Sequence, residues 1–352
     1  MAITSEQAII LERLNTEFTK EKVAYELRRR SVQSRVKMVS RWAMITRKMK
    51  KEEPSYDVLN DFTDFIRYVW ELPRNVLLST DYITNVVLLL SSSKGREAER
   101  AAWALGSIAA GDDAGKAACV SAGAVPALVS LLSSSKGDDA EWAATALWSI
   151  AWGDAACKAA CVSGGAVPAL VSLLSSSKGR EAEMAAGALW NIARGDDAGK
   201  AACVSAGAVP ALVSLLSSTK GDEAGCAEEA LANIAKGDAK CKAAVILVLV
   251  SLLSSSKSAE RAARAFCSIA SGDDECKAAC VSAGAVPALV RLLLSSKGAE
   301  PEWAATALWS IAKGDAACKA VCVSATKPLL TRGDIPDRIR SIIKKYCLKT
   351  DC

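Results

Sequence analysis

Apolar and polar positions recur along most of this 352-residue chain in a pattern that repeats about every 42 residues. The clearest marker is the phrase "AVPALV", whose prolines are Pro126, Pro168, Pro210 and Pro287, the first three 42 residues apart. A fixed period of this length is typical of repeat proteins. The pattern divides the chain into five units with half-units outside them: residues 112–153, 154–195, 196–237, 238–272 and 273–314.

Each unit contains three segments with helical spacing, and alternation of period two is absent. A short segment ends at Ala-Gly, a second begins at "AVPALVSLL" with proline in its first turn, and the longest follows the polar break "SSSKG". On a helical wheel Leu105, Ile108 and Ala109 share one face of the longest segment, and that face repeats in later units. We therefore predict an all-α protein whose units stack to bury a continuous core.

The fourth unit is shorter than the others. Lys116 and Leu128 are separated by 12 residues, whereas the matching Lys242 and Leu249 are separated by 7. The five missing residues include the glycine and the proline that divide the first helix from the second. The sequence predicts a fused or bent helix at 242–253 and a local change in superhelical twist.

Residues 81–330, with phrases such as "GAVPALVSLL" and "AAGALWNIARG" (185–195), resemble the armadillo repeat of importin-alpha, β-catenin and plant armadillo proteins. The resemblance implies a right-handed α-solenoid, a superhelix with three helices in each unit of about 42 residues. Residues 1–80 do not repeat and are predicted to form a helical N-terminal extension that covers one end of the stack. Residues 331–352 are predicted to form a helical C-terminal tail or cap.

In an armadillo stack the third helices line the concave surface, so the resemblance implies that function lies in this groove. Bulky and polar residues opposite the predicted core are candidates for contact with an extended peptide, because an amide both donates and accepts hydrogen bonds. Stacking is expected to gather Trp148, Trp152 and Trp190 into one aromatic strip. The candidate groove residues are Trp103, Trp148, Ser149, Trp152, Trp190, Asn191, Arg194, Asn233, Lys236 and Trp309.

Glutamates in the first turn of the third helices form a candidate acidic rim of this groove: Glu99, Glu141, Glu183, Glu260 and Glu302. A second interpretation stays open, because the helix dipole favours glutamate at this position without any ligand. The tryptophans also have two interpretations, which are contact with a peptide and packing between adjacent third helices.

A basic segment at residues 28–51 contains ten cations and no acidic residue: Arg28, Arg29, Arg30, Arg35, Lys37, Arg41, Arg47, Lys48, Lys50 and Lys51. Three interpretations stay open. It is a solvated helix, it binds an anionic membrane or nucleic acid, or it resembles the importin-beta-binding segment of importin-alpha, which recruits a carrier and folds back on the groove.

Composition reduces the number of function classes that fit the sequence. The net charge is +5, no signal peptide precedes the repeats, and the longest apolar run, 243–250, is too short to cross a bilayer. The 13 cysteines form no metal-binding pattern, histidine is absent, and the thiols are expected to be small, reduced core residues. Nucleophilic catalysis would lack its usual base. We expect no cofactor, no metal, no small-molecule substrate and a cytoplasmic or nuclear location.

The sequence thus predicts a non-enzymatic scaffold for protein–protein interaction that holds an extended segment of a partner in its groove. One alternative is a nuclear import adaptor that recognises basic localisation signals and recruits an importin-beta-type carrier through 28–51. A further alternative is binding of nucleic acid or an anionic surface through the same segment.

Overall fold

The structure is a computed structural model of the full chain. It describes residues 78 and 80–347, apart from the short stretches 93–94, 135–136, 177–178, 219–221, 255–257, 295–298, 314 and 334. The predictions for the N-terminal extension, including the basic segment 28–51, lie outside the described residues.

Helices dominate the described residues, which contain no strand. The chain divides into two compact units, Met1–Ala160 and Cys161–Cys352, each of which is treated separately below. In the first unit the helices are α1 Thr80–Ser92, α2 Arg96–Gly111, α3 Asp113–Ser121, α4 Ala124–Ser134 and α5 Asp138–Ala151. Helix α6, Ala155–Ser163, includes the boundary between the units.

The second unit continues the same succession of three helices per repeat. Its helices are α7 Ala166–Ser176, α8 Arg180–Ala193, α9 Asp197–Ser205, α10 Ala208–Ser218, α11 Asp222–Ala235, α12 Ala239–Leu252, α13 Ala259–Ala270, α14 Asp274–Ser282, α15 Ala285–Leu293, α16 Glu300–Ala312, α17 Ala316–Thr326 and α18 Asp337–Ile342. A 3₁₀ turn at Lys327–Leu330 and a π-helix at Ile343–Cys347 complete the described chain.

An aspartate begins the first helix of each repeat. Its carboxylate accepts a hydrogen bond from the backbone N–H three residues later, at 2.6 to 2.9 Å. Such a bond satisfies one of the N–H groups that a helix start leaves open. These aspartates are Asp112, Asp154, Asp196, Asp238, Asp273 and Asp315. The bond from the Cys241 N–H holds the pKa of Asp238 below its usual value.

Glycine ends the first helix where the chain turns into the second. Gly123 has a φ of 77° and Gly207 the same, in the left-handed region that other residues rarely adopt. The proline that follows three residues later lies in the first turn of the second helix, where its missing N–H costs no hydrogen bond. The predicted boundary between first and second helices is therefore confirmed in the complete repeats.

The core lies on the face of the third helices that the helical wheel predicted. Leu105 and Ile108 are fully buried in α2, and the equivalent pairs are fully buried in every later repeat. These pairs are Leu147 and Ile150, Leu189 and Ile192, Leu231 and Ile234, Phe266 and Ile269, and Leu308 and Ile311. No single repeat could enclose these side chains, so each third helix packs on the next within its unit.

Helix α12 confirms the fused helix predicted for the shortened fourth repeat. It runs without interruption over Ala239–Leu252, 14 residues, where the complete repeats have two helices. One side carries Val245, Ile246 and Leu249, which are buried, while Leu247 on the other side is 59% exposed. The expected change in superhelical twist stays a prediction.

Four lysines in the first helices are buried although each carries a charge: Lys116, Lys200, Lys242 and Lys277. Three of them reach the aspartate three residues earlier in the same helix, each at 2.7 Å. Lys200 also donates to the backbone carbonyl of Lys236, at the end of α11, at 3.4 Å. Lys200 thus connects the first helix of its repeat to the C-terminal end of the third helix of the same repeat.

The C-terminal segment packs on the last complete repeat of the second unit. Ile335, Ile339, Ile342 and Ile343 are buried there. Arg338 of α18 forms an ion pair with Glu302 of α16 at 2.6 Å. Within the described residues, no single helix has both the length and the apolar character needed to cross a membrane, and four helix pairs reach that length only by counting across a bend of 69° to 77°.

Candidate functional site

The third helices present a stripe of residues opposite their buried face, here called the third-helix face. Its positions are spaced i, i+7 and i+11, which at 100° per residue fall on one side of a helix. In α8 they are Glu183, Trp190 and Arg194, and in α16 they are Glu302, Trp309 and Lys313. In these two helices the stripe therefore begins with an acid, continues with an indole and ends with a cation.

In α8 and α16 of the second unit the indole and the cation of the stripe are in contact. The Arg194 guanidinium lies 5.6 Å from the ring centre of Trp190, and Lys313 Nζ lies 5.0 Å from that of Trp309. Such cation–π contacts contribute about 0.5–1 kcal/mol at exposed sites. The tryptophans hold the cations near the C-terminal ends of α8 and α16, where the helix dipole also favours positive charge.

In the first unit the indole of Trp152 stands at the position of the cation at the end of α5. The ring centres of Trp148 and Trp152 lie 6.3 Å apart with an angle of 54° between the rings. Trp152 is 44% exposed, while Trp148 and Trp103 are half-buried. The predicted continuous strip would join these rings to Trp190, which belongs to the second unit, and that part stays a prediction.

Two of the polar residues expected in the groove are buried. Asn191 is 0% exposed and Ser149 is 5% exposed, so neither side chain is presented at the surface as the sequence suggested. The physical reason is angular: the residue after the stripe tryptophan is rotated by 100° toward the flank of the helix, where packing covers it. Asn233 is half-buried and Lys236 is exposed.

The predicted acidic rim is partly engaged inside the chain. Glu99, Glu141, Glu183, Glu260 and Glu302 are all half-buried. Burial acts to raise the pKa of Glu302, but the hydrogen bond and the charge of Arg338, together with a backbone hydrogen bond, lower the pKa overall. Glu302 is thus a partner of the C-terminal helix α18.

Three residues form a cluster between third helices of the second unit that the sequence pattern did not indicate. Arg264 of α13 lies 5.1 Å from the ring centre of Trp303 in α16, and its Nε is 3.3 Å from Glu228 Oε2 in α11. Burial raises the pKa of Glu228, although the Arg264 charge opposes the shift. The sequence did contain one indication of this cluster, the large aromatic residue Trp303 in the third helix. Trp303 was not among the candidate groove residues.

Most of the described cysteines are buried, and burial makes their thiols unreactive. Burial raises the pKa of Cys276 and Cys318 to about 11, and that of Cys203, Cys280 and Cys322 to about 12. A thiol reacts as its thiolate, so these groups are poor nucleophiles near neutral pH. Among the described residues, no three Cys, Asp or Glu side chains converge to hold a metal ion.

Fold and surface together define an all-α repeat protein with an aromatic and charged face on its third helices. The family model for the Armadillo/beta-catenin-like repeat matches residues 154–194. A crystal structure of an engineered protein is 39% identical, covers 65% of this chain and 96% of its own, and has a TM-score of 0.53. Another engineered protein is 29% identical, covers 98% of this chain and 96% of its own, and has a TM-score of 0.56.

A designed armadillo repeat protein, solved in complex with the peptide (KR)4, is also similar to this chain. It is 30% identical, has a TM-score of 0.52, and the match covers 65% of this chain and 99% of that one. No curated protein matches the chain. The chain belongs to the armadillo-repeat family, and the predicted class of all-α armadillo solenoid is confirmed.

Proposed function

We propose that this chain is a non-enzymatic interaction scaffold that binds an extended segment of a partner protein across its third-helix face. The observation that carries the proposal is the repeated pairing of a tryptophan with a cation at the same position of two third helices, Trp190 with Arg194 and Trp309 with Lys313. Indoles and arginines are enriched among the residues that dominate binding energy at protein interfaces. The designed armadillo relative, which carries a peptide, supports the same role for this family member.

Several features favour binding over catalysis. The chain contains no histidine, so the usual general base at neutral pH is missing. Burial raises the pKa of the thiol in Cys276 and in Cys280, which leaves little thiolate to attack a substrate. The residues of the third-helix face are instead those that cover and orient another chain.

The test is a peptide-display selection on the purified full-length chain, followed by affinity measurement on the variant Trp190→Ala/Trp309→Ala. Loss of two interface indoles is expected to weaken selected peptides by about tenfold or more. The matched control is Val321→Ala, which removes an exposed apolar side chain from α17. Circular dichroism must show unchanged helicity in both variants, and peptides that bind the double variant as tightly as wild type would contradict the proposal.

The import adaptor is the alternative within the same class of scaffold. It depends on the ten cations of residues 28–51, which would recruit an importin-beta-type carrier or bind nucleic acid or an anionic membrane. Burial of Asn191 removes an amide that was expected to contact a bound peptide, whether that peptide is a localisation signal or another extended segment. The test compares the full chain with a variant in which all ten cations are replaced by Gln. Three properties are measured: capture of the carrier, cytoplasmic or nuclear location, and salt-dependent binding to RNA or anionic vesicles.

A further inference from the structure

Arg264 of α13 connects the third helices of three successive repeats. Its Nε lies 3.3 Å from Glu228 Oε2 in α11, and its guanidinium lies 5.1 Å from the ring centre of Trp303 in α16. Arg264 comes four residues after Glu260, so it lies on the same side of α13 as the stripe of the third-helix face. Its side chain is 44% exposed, so Arg264 is held by two neighbouring helices and still reaches solvent.

The acid that holds Arg264 stands where each of the other described third helices has an alanine. These alanines are all fully buried: Ala102, Ala144, Ala186, Ala263 and Ala305. A carboxylate buried at such a position costs free energy unless its partners compensate. Burial is the largest influence on Glu228 and raises its pKa, although the charges of Arg264 and Arg261 oppose the shift. Stability therefore does not explain why this repeat has Glu228.

The contacts of Arg264 fix the orientation of its guanidinium. This group is planar, stacks on aromatic rings and carries five N–H donors. Trp303 provides the ring, and Glu228 faces Nε. A single carboxylate at Nε leaves donors on the two Nη atoms for a further acceptor.

The charges around Arg264 favour an acceptor without net charge. Three acids and two arginines lie close together here: Glu228, Glu229, Glu260, Arg261 and Arg264. Acids outnumber cations, so a carboxylate or phosphate of a partner would meet net repulsion. A main-chain carbonyl has no net charge and still accepts a strong hydrogen bond from a charged donor. An extended segment presents one such carbonyl at every residue.

We propose that Arg264 donates hydrogen bonds to main-chain carbonyls of the bound segment, with Glu228 and Trp303 as its positioning residues. This inference rests on the proposed function and adds a contact for the main chain, which the buried Asn191 does not present at the surface. Holding Arg264 in place before binding lowers the side-chain entropy lost on contact. Because the main chain is the same in every sequence, the contact contributes equally to segments with different side chains.

The first test measures affinity for three octapeptides of unrelated sequence, recovered by display selection on the purified full-length chain. The variant Arg264→Thr introduces the residue found at the equivalent positions, Thr145 and Thr306. Loss of a charged hydrogen bond is expected to weaken all three peptides by about tenfold. A loss confined to one peptide would assign Arg264 to a side chain of that peptide and overturn the inference.

The matched control is Arg291→Ser, which removes an exposed arginine from α15 and introduces the residue found at the equivalent Ser130. It is expected to leave the affinity for all three peptides unchanged. Circular dichroism establishes that both variants are folded.

The positioning role of Glu228 is tested by two effects of opposite direction. Glu228→Ala, the residue of the other repeats, is expected to weaken each peptide by about threefold, because Arg264 is no longer held before binding. The same variant should raise the midpoint of thermal unfolding by about 2 °C at pH 7. A purely structural acid would lower the midpoint when removed, so a lower midpoint with unchanged affinity would overturn the inference.

The stability effect of Glu228→Ala also has a defined pH dependence. A raised folded pKa means that the ionised carboxylate lowers stability at neutral pH and that protonation removes this cost. The difference in midpoint should therefore shrink as pH falls toward 4. In the Arg264→Thr background, Glu228→Ala should cause no further loss of affinity, since the side chain that it positions is gone. A further threefold loss there would contradict the positioning role.

Amide-to-ester substitution identifies the main-chain contact directly. Each peptide bond of one selected octapeptide is replaced in turn by an ester, whose carbonyl is a weaker acceptor. At one position or more the ester should weaken binding to wild type by several-fold and leave binding to Arg264→Thr unchanged. The inference fails if every ester affects the two chains equally.

The outcomes separate this inference from the proposed function. If the octapeptides bind wild type and Arg264→Thr equally, the scaffold function stands and the role of Arg264 is wrong. If no extended peptide binds the folded chain, the proposed function is wrong and the inference is wrong with it.

Discussion

Lys242 of α12 donates a hydrogen bond to the carboxylate of Glu275 in α14, a residue of the following repeat. The equivalent lysines Lys116, Lys200 and Lys277 each have an aspartate three residues earlier in their own helix. Lys242 has Ala239 at that position, so its ammonium group obtains an acid from the next first helix instead. The buried lysine at this position thus pairs with an acid of its own helix in three repeats. In the fourth repeat it pairs with an acid of the following repeat.

Removing the distant partner is expected to destabilise the second unit more than removing a local one. Glu275→Gln should lower the free energy of unfolding by about 1 kcal/mol, because the buried Lys242 loses a charged hydrogen bond. Asp274→Asn, the matched control, breaks the pair with Lys277 inside one helix and should cost at most about 0.5 kcal/mol. Denaturant unfolding measures both, and a Lys242→Met/Glu275→Gln cycle without coupling would contradict the interpretation.

The Lys242 interaction also has a predictable pH dependence. The hydrogen bond that Lys242 donates to Glu275 is the main reason that the pKa of Lys242 is raised in the folded chain. Because the folded pKa exceeds the unfolded value of about 10.4, the stabilisation is complete below that pH and disappears as pH rises through the folded pKa. The difference between wild type and Glu275→Gln should therefore be constant from pH 6 to 9 and shrink above about pH 10.

Much of the fold followed from the sequence, and the failures have a common cause. The period of 42 residues, the apolar pairs such as Leu105 and Ile108, and the fused helix depend on order along one chain. The burial of Asn191 and the contact of Arg264 with Trp303 depend on how one third helix is rotated and displaced against its neighbour. A helical wheel describes a helix alone, so residues on its flanks cannot be assigned to core or surface from the sequence.

The buried thiols should make the fold sensitive to alkali. Burial raises the pKa of Cys280 to about 12, while an unfolded thiol titrates near pH 8.5. A raised folded pKa gives stability that is complete below about pH 8.5 and is lost as pH rises toward 12. Cys280→Val introduces the residue found at the equivalent position, Val245. Between pH 9 and 11 this variant should release about one proton fewer than wild type on unfolding.

That measurement needs urea unfolding at several pH values under reducing conditions. At pH 7 the valine variant is expected to lie within about 1.5 kcal/mol of wild type, because the substitution nearly conserves volume and polarity. An unchanged slope above pH 9 would show that Cys280 already titrates normally in the folded chain.

Two glycines of the second unit should respond oppositely to alanine. A Cβ on Gly237 would lie 2.8 Å from Cys241 Cβ and 3.0 Å from its sulfur, whereas a Cβ on Gly225 meets nothing within 4 Å. Gly237→Ala should therefore destabilise the chain by about 1–3 kcal/mol through overpacking. Gly225→Ala, inside α11, should stabilise it by about 0.5–1 kcal/mol through helix propensity.

The cause of the Gly237 effect can be isolated with Cys241→Gly, which removes both clashing atoms. In that background the cost of Gly237→Ala should fall clearly below its cost in wild type. Thermal unfolding of the four chains in this cycle provides the comparison, and an unchanged cost would place the strain elsewhere, for example at the Ile234 carbonyl 3.1 Å away.

Substitutions at neighbouring residues of the fused helix α12 should have very different effects on the free energy of unfolding. Ile246 is 1% exposed and Leu247 is 59% exposed, although both belong to a continuous apolar run. Ile246→Ala should cost about 2–5 kcal/mol because it leaves a cavity. Leu247→Gln should change the unfolding free energy by less than about 0.5 kcal/mol, and a large cost at Leu247 would mean that its side chain is covered in solution.

Helix α12 shows that the stack of repeats accommodates a repeat of reduced length. The fourth repeat is five residues shorter from Lys242 to Leu249 and lacks the turn between two helices, yet it keeps its aspartate cap, its buried apolar side and an acid that pairs with its lysine. These contacts are made within a repeat or with the next repeat. A change of length in one repeat therefore affects only that repeat and its neighbours. An array built in this way can combine repeats of different lengths, because a change of length in one repeat leaves the contacts of distant repeats as they were.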